Sequence, residues 1–82
     1  MHAPKLMAVV VTEAPLDEVR FAAAAHDFSF EVEPADVQYP VGNGHLYEVL
    51  HSNDAEPRPN VARTLRAELG GLWPGTIVCE VP

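Results

Sequence analysis

Four histidines, one cysteine and two glycine-containing turns are the residue types here that most often carry catalysis or bind ligands. His45 and His51 bracket the alternating stretch His45-Leu46-Tyr47-Glu48-Val49-Leu50-His51. Their even separation puts both rings on one side of a strand but at opposite ends, about 20 Å apart at roughly 3.3 Å per residue, too far to share a metal. His26 closes a helical stretch, where a cationic ring is favoured by the dipole, and its neighbour Asp27 does not face it. His2 lies in the N-terminal tail. With one cysteine and no CxxC or HxxxH spacing, no metal centre and no cofactor are expected. Cys79 alternates with Ile77 and Val81 and reads as a small core hydrophobe, because no helix N-terminus or cation lies beside it to activate a thiolate. Gly42-Asn43-Gly44 joins two predicted strands. It therefore reads as a turn that needs positive φ, not as a phosphate loop leading into a helix. No catalytic residue is expected, and the chain does not read as an enzyme.

The elements that hold these residues follow from periodicity. The run Leu6-Met7-Ala8-Val9-Val10-Val11 is unbroken, apolar and rich in β-branched residues, which predicts a strand buried on both faces in the middle of a sheet. Pro15, Asp17 and Glu18 mark a helix start, and the helix runs to Ala25 or His26 with Leu16, Val19, Ala22 or Ala23, and His26 on one face. Phe28-Ser29-Phe30-Glu31-Val32-Glu33 alternates strictly, placing Phe28, Phe30 and Val32 inward until Pro34 ends the strand or marks an edge. Residues 36–39 extend this strand beyond a bulge. After the turn at 40–44 and the strand 45–51, Pro59 or Asn60 opens a second helix with Val61, Leu65, Leu69 and Leu72 on its stripe. Gly70-Gly71 is expected to close it in a left-handed cap. Thr76–Val81 forms the last strand.

The order β-α-β-β-α-β with helical crossovers predicts one α+β domain over residues 1–82. It is a two-layer sandwich with a four-stranded antiparallel sheet, order 4-1-3-2, and both helices on one face. That topology resembles the ferredoxin-like fold, which many unrelated functions share. RNA-recognition motifs resemble it too but place stacking aromatics and bases on the central strands, and here only Tyr47 stands there, beside Glu48. ACT-like regulatory domains are similar in topology and commonly bind amino acids at a glycine in the first strand-to-helix turn. Here that turn is Thr12-Glu13-Ala14-Pro15, without a glycine.

Twelve acids against five bases give a net charge of −7, and ten of the acids precede Arg58. Such a surface repels phosphate, so neither nucleic acid nor an anionic membrane is an expected partner. No apolar stretch approaches the roughly 20 residues of a membrane-spanning helix. The N-terminus lacks signal-peptide features, and the lone cysteine fits a reducing cytoplasm.

The sheet face away from the helices is the expected working surface. Placing Val9 and Val11 under the helices leaves Leu6, Ala8 and Val10 outward. Keeping Glu48 out of the core puts Leu46, Glu48 and Leu50 outward, with Val78 beside them. An apolar centre rimmed by acids predicts a protein-interaction module that is regulatory, adaptor or inhibitory in kind. It is expected to form a homodimer or to bind a protein partner, including a basic one. Two other readings compete. A small-molecule binder or enzyme would enclose a cavity between paired sheets near His26, His45, Tyr47, His51 and Trp73. A nucleic-acid-mimicking inhibitor would align Glu31, Glu33, Asp36 and Glu48 on one surface.

Overall fold

A computed structural model describes residues 4–35, 44–52 and 56–82. The elements are β1 (Lys5–Thr12), α1 (Leu16–His26), β2 (Phe30–Pro34), β3 (His45–His51), α2 (Val61–Gly70) and β4 (Ile77–Glu80). The four strands form one antiparallel sheet in the order β2-β3-β1-β4, which read from the other edge is the expected 4-1-3-2. The expected extension at 36–39 and most of the turn at 40–44 lie outside the described residues.

Both helices pack on one side of this sheet and share a single core with it. Helix α1 starts at Pro15, whose carbonyl accepts from the Glu18 and Val19 N–H groups, with Asp17 and Glu18 in the first turn. It buries Val19, Ala22 and Ala23; two alanines at the contact let the helix sit close to its neighbours. Helix α2 buries Val61, Ala62, Leu65 and Leu69. Full burial of a side chain the size of Leu65 contributes about 1.5–3 kcal/mol. The sheet supplies Ala8, Val10, Phe30, Val32, Tyr47, Val49 and Val78 from the facing side.

The middle of the sheet is where expectation and structure part. The β1–β3 register shifts between Leu6 and Ala8: Leu6 pairs with Leu50, but Ala8 pairs with Val49. Met7 is therefore an extra residue, and a β-bulge reverses the alternation beyond it. Leu6 faces away from the helices as expected. Ala8 and Val10 were expected to face away too, and both are fully buried beneath the helices. Val78 pairs with Val10 and follows it into the core, so its expected outward placement is also reversed. Leu46, Glu48 and Leu50 keep their outward positions, half-buried beside the buried Tyr47, Val49 and His51.

Three smaller differences have local causes. Phe28 is 88 % exposed, because Asp27 draws the chain into a turn before the strand starts. The Asp27 carboxylate accepts from the Ser29 N–H at 2.9 Å, and its carbonyl accepts from the Phe30 N–H at 3.0 Å. Gly71 stays right-handed at φ −68°, so α2 runs into a turn instead of a left-handed cap, and Leu72 leaves the apolar stripe for solvent. The left-handed glycine is Gly75, φ 94°, behind Pro74 in a turn closed by the Thr76 N–H on the Trp73 carbonyl. Proline followed by a positive-φ glycine is what a type II turn requires.

Candidate interaction face

His26, Tyr47 and His51 are held by partners within the chain. His26 Nε2 lies 3.2 Å from the Arg58 carbonyl and Nδ1 lies 2.9 Å from Thr64 Oγ1. A carbonyl only accepts, so Nε2 carries the proton in that bond, and the two ring nitrogens join α1 to α2 and to the segment before it. Asp27 accepts from the Ser29 and Arg58 N–H groups. Those two backbone bonds, Ser29 first, hold its carboxyl below the usual range, with His51 adding a smaller favourable charge effect. His51 is buried edge-on against Phe30, with ring centroids 5.1 Å apart. Tyr47 donates its hydroxyl to the Ala14 carbonyl at 3.1 Å, and burial raises its pKa above the usual value. His45 is exposed beside Tyr47, while Trp73 packs at the core margin in the α2–β4 connection. His26 and His51 flank the same Phe30 ring and His45 lies 5.8 Å from Tyr47, while Trp73 packs in the α2–β4 connection, so the five fall into separate groups.

A cleft of about 370 Å³ lies at one end of the sheet, lined by Val11, Thr12, Glu13, Gly44, Gly75 and Thr76 among others. Its two hydroxyls are already committed. Thr76 donates to the Trp73 carbonyl at 2.7 Å, so Thr12 donates to Thr76 at 2.7 Å and accepts from the Ala14 N–H at 3.1 Å. This chain ties the ends of β1 and the α2–β4 connection together and leaves few polar groups to orient a ligand. Among the described residues no group of three or more His, Cys, Asp or Glu side chains is arranged to hold a metal.

What the sheet presents is its helix-free face. The register lays three rows across it: Glu31-Leu50-Leu6, then Glu33-Glu48-Val9-Cys79, then Leu46-Val11-Ile77. The apolar side chains form a continuous patch over β1, β3 and β4, with Ile77 57 % exposed. Cys79, expected in the core, is exposed on this face. Carboxylates stand at the β2 side, where Glu33 and Glu48 are directly opposed, a like-charge pairing that a sheet tolerates at a cost. Val9, Val11 and Ile77 escape a sequence reading because β1 is apolar on both sides, and nothing local marks the bulge that assigns its faces.

Each edge strand has an outward carbonyl capped by an arginine. Bonds from Ala35 N–H to Leu46 and from Ser52 N–H to Ser29 show that odd residues of β2 bond to β3, so Phe30, Val32 and Pro34 turn their polar groups outward. Arg20 Nε donates to the Val32 carbonyl at 3.1 Å, the Phe30 N–H is taken by Asp27, and Pro34 has no N–H. On β4 the outward Val78 carbonyl accepts from Arg66 Nε at 3.2 Å and Nη2 at 2.6 Å. Each helix therefore sends one arginine to cap the edge strand that follows it, twelve residues on in both cases. Capped edges disfavour strand addition.

The chain matches no protein-family model, no curated protein and no solved structure. No described helix is long and apolar enough to cross a membrane.

Proposed function

We propose that this chain, a small acidic α+β domain of ferredoxin-like topology, is a protein-interaction module. Its working surface is the helix-free sheet face, and its role is to regulate, adapt or inhibit the protein it binds, not to catalyse. The observation that carries this reading is the apolar patch over the two central strands. Leu6, Val9, Val11, Leu46 and Leu50 stand on it with no element of the described chain packed over them. A sheet face meant for water alternates to polar residues on its central strands, and this one does not. The capped edges direct association to the face, since an incoming strand finds the Val32 and Val78 carbonyls occupied.

The reading is tested by affinity capture from native lysate, followed by intact-mass measurement of the complex. Leu46→Glu and Ile77→Glu should each abolish capture while leaving the thermal midpoint within a few degrees of the parent. Phe21→Ser, on the exposed side of α1, should leave capture unchanged. A complex that survives both face substitutions refutes the reading.

A further inference from the structure

We infer that the helix-free face takes a different protein whose apolar contact is flanked by lysine or arginine, and that its own carboxylates exclude a second copy of this chain. The inference rests on the proposed role of the face and goes further by naming the occupant's chemistry.

The charge layout decides it. Glu31, Glu33 and Glu48 share the face, and none of the five bases does. Arg20 and Arg66 are engaged at the edge carbonyls, Lys5 pairs with the helix-side His51, Arg58 lies in the segment before α2 with its N–H on Asp27, and Arg63 lies on α2. Glu48 cannot be left out of any contact that covers the patch. It sits on central strand β3, directly opposite Val9 and between the half-buried Leu46 and Leu50.

Two copies meeting face to face about a twofold axis have two ways to overlap fully. With the axis across the strands, β2 lies over β2 and the carboxylates meet carboxylates. With the axis along the strands, β2 lies over the partner copy's β4, and Glu31 and Glu33 are covered by Ile77 and Cys79, while the arginines at these edges, Arg20 and Arg66, are committed to the Val32 and Val78 carbonyls. The first is repulsive, and the second removes charges from water unpaired. Each copy also brings a net charge of −7 to the encounter. A surface with an apolar centre and basic residues on one side meets neither penalty: it pairs Glu48 and relieves the repulsion already present between Glu33 and Glu48.

The test uses the intact chain and two synthetic amphipathic helical peptides as probes, with identical leucine faces and either lysine or glutamate on the polar face. Fluorescence anisotropy should show binding of the lysine peptide only. Replacing Glu31, Glu33 and Glu48 together by Gln should weaken it by about tenfold, as expected for three part-exposed charge pairs. Replacing Asp17, Glu18 and Glu68 by Gln changes net charge equally and should leave binding unchanged. Ile77→Glu should lose binding although it adds a negative charge, which separates docking on the patch from attraction to an acidic protein in general. Val11→Thr supplies the same readout should Ile77→Glu fail to fold. Sedimentation equilibrium should find the parent monomeric and the triple Gln variant self-associating. A parent dimer dissolved by Ile77→Glu overturns this inference and leaves the proposed role of the face standing. Insensitivity of both peptide binding and assembly to Ile77→Glu and Val11→Thr overturns both.

Discussion

Neighbouring residues Val9 and Val10 provide the sharpest test of the bulge at Met7. Val10 is fully buried beneath the helices, whereas Val9 is half-buried on the opposite face. Valine and threonine have nearly the same shape and both favour strands, so Val→Thr changes polarity and little else. At position 10 the new hydroxyl enters an apolar core and should cost about 1–3 kcal/mol. At position 9 water reaches the side chain, and the loss should stay below about 0.5 kcal/mol. A domain of this size loses about 4–8 °C of thermal midpoint per kcal/mol, so a 2 kcal/mol penalty predicts a fall of about 8–16 °C for Val10→Thr and about 4 °C or less for Val9→Thr. Circular dichroism melts and urea titrations should agree, because the substitution leaves the area exposed on unfolding nearly constant. Equal losses, or a larger loss at Val9, would refute the register and with it the composition of the proposed interaction face.

Three further outcomes follow from the contacts described. Arg20→Ala and Arg66→Ala should each cost about 1 kcal/mol or less, yet the double variant should aggregate faster on mild heating, measured by light scattering, because the Val32 and Val78 carbonyls become open to strand addition. Asp27 has a carboxyl pKa depressed in the folded state, so its stabilising effect is present above the unfolded value of about 3.9 and is lost as pH falls through the lower folded value. In urea titrations below about pH 4, Asp27→Asn should therefore flatten the acid loss of stability relative to the parent. Tyr47 has the opposite sign: burial raises its pKa, so its contribution is present below about pH 10 and is lost as pH rises through the higher folded value. Tyr47→Phe should weaken that alkaline loss and, by leaving the Ala14 carbonyl without its donor, cost about 1 kcal/mol at neutral pH by thermal denaturation.

The order of elements, the antiparallel four-stranded sheet and, Leu72 apart, the helix stripes were legible from local pattern. Pro15 with Asp17 and Glu18 marks a helix start wherever it occurs, and His45–His51 alternates whatever lies around it, so Tyr47 and Val49 could be placed inward and Leu46, Glu48 and Leu50 outward. The faces of β1 were not legible. Six consecutive apolar residues carry no period, and one extra residue at Met7 inverts every side chain after it, a difference that only the pairing of Ala8 with Val49 reveals. Val78 and Cys79 inherited the same ambiguity because β4 takes its register from β1. The arginine caps were equally hidden, since a guanidinium reaching an edge carbonyl depends on how a helix lies along a strand. Sequence alone determined that this protein has an apolar sheet centre and an acidic surface. Tertiary structure decided which valines remain outside the core and that the carboxylates stand beside them, because pairing register, unlike hydrophobicity, is a property of two strands together.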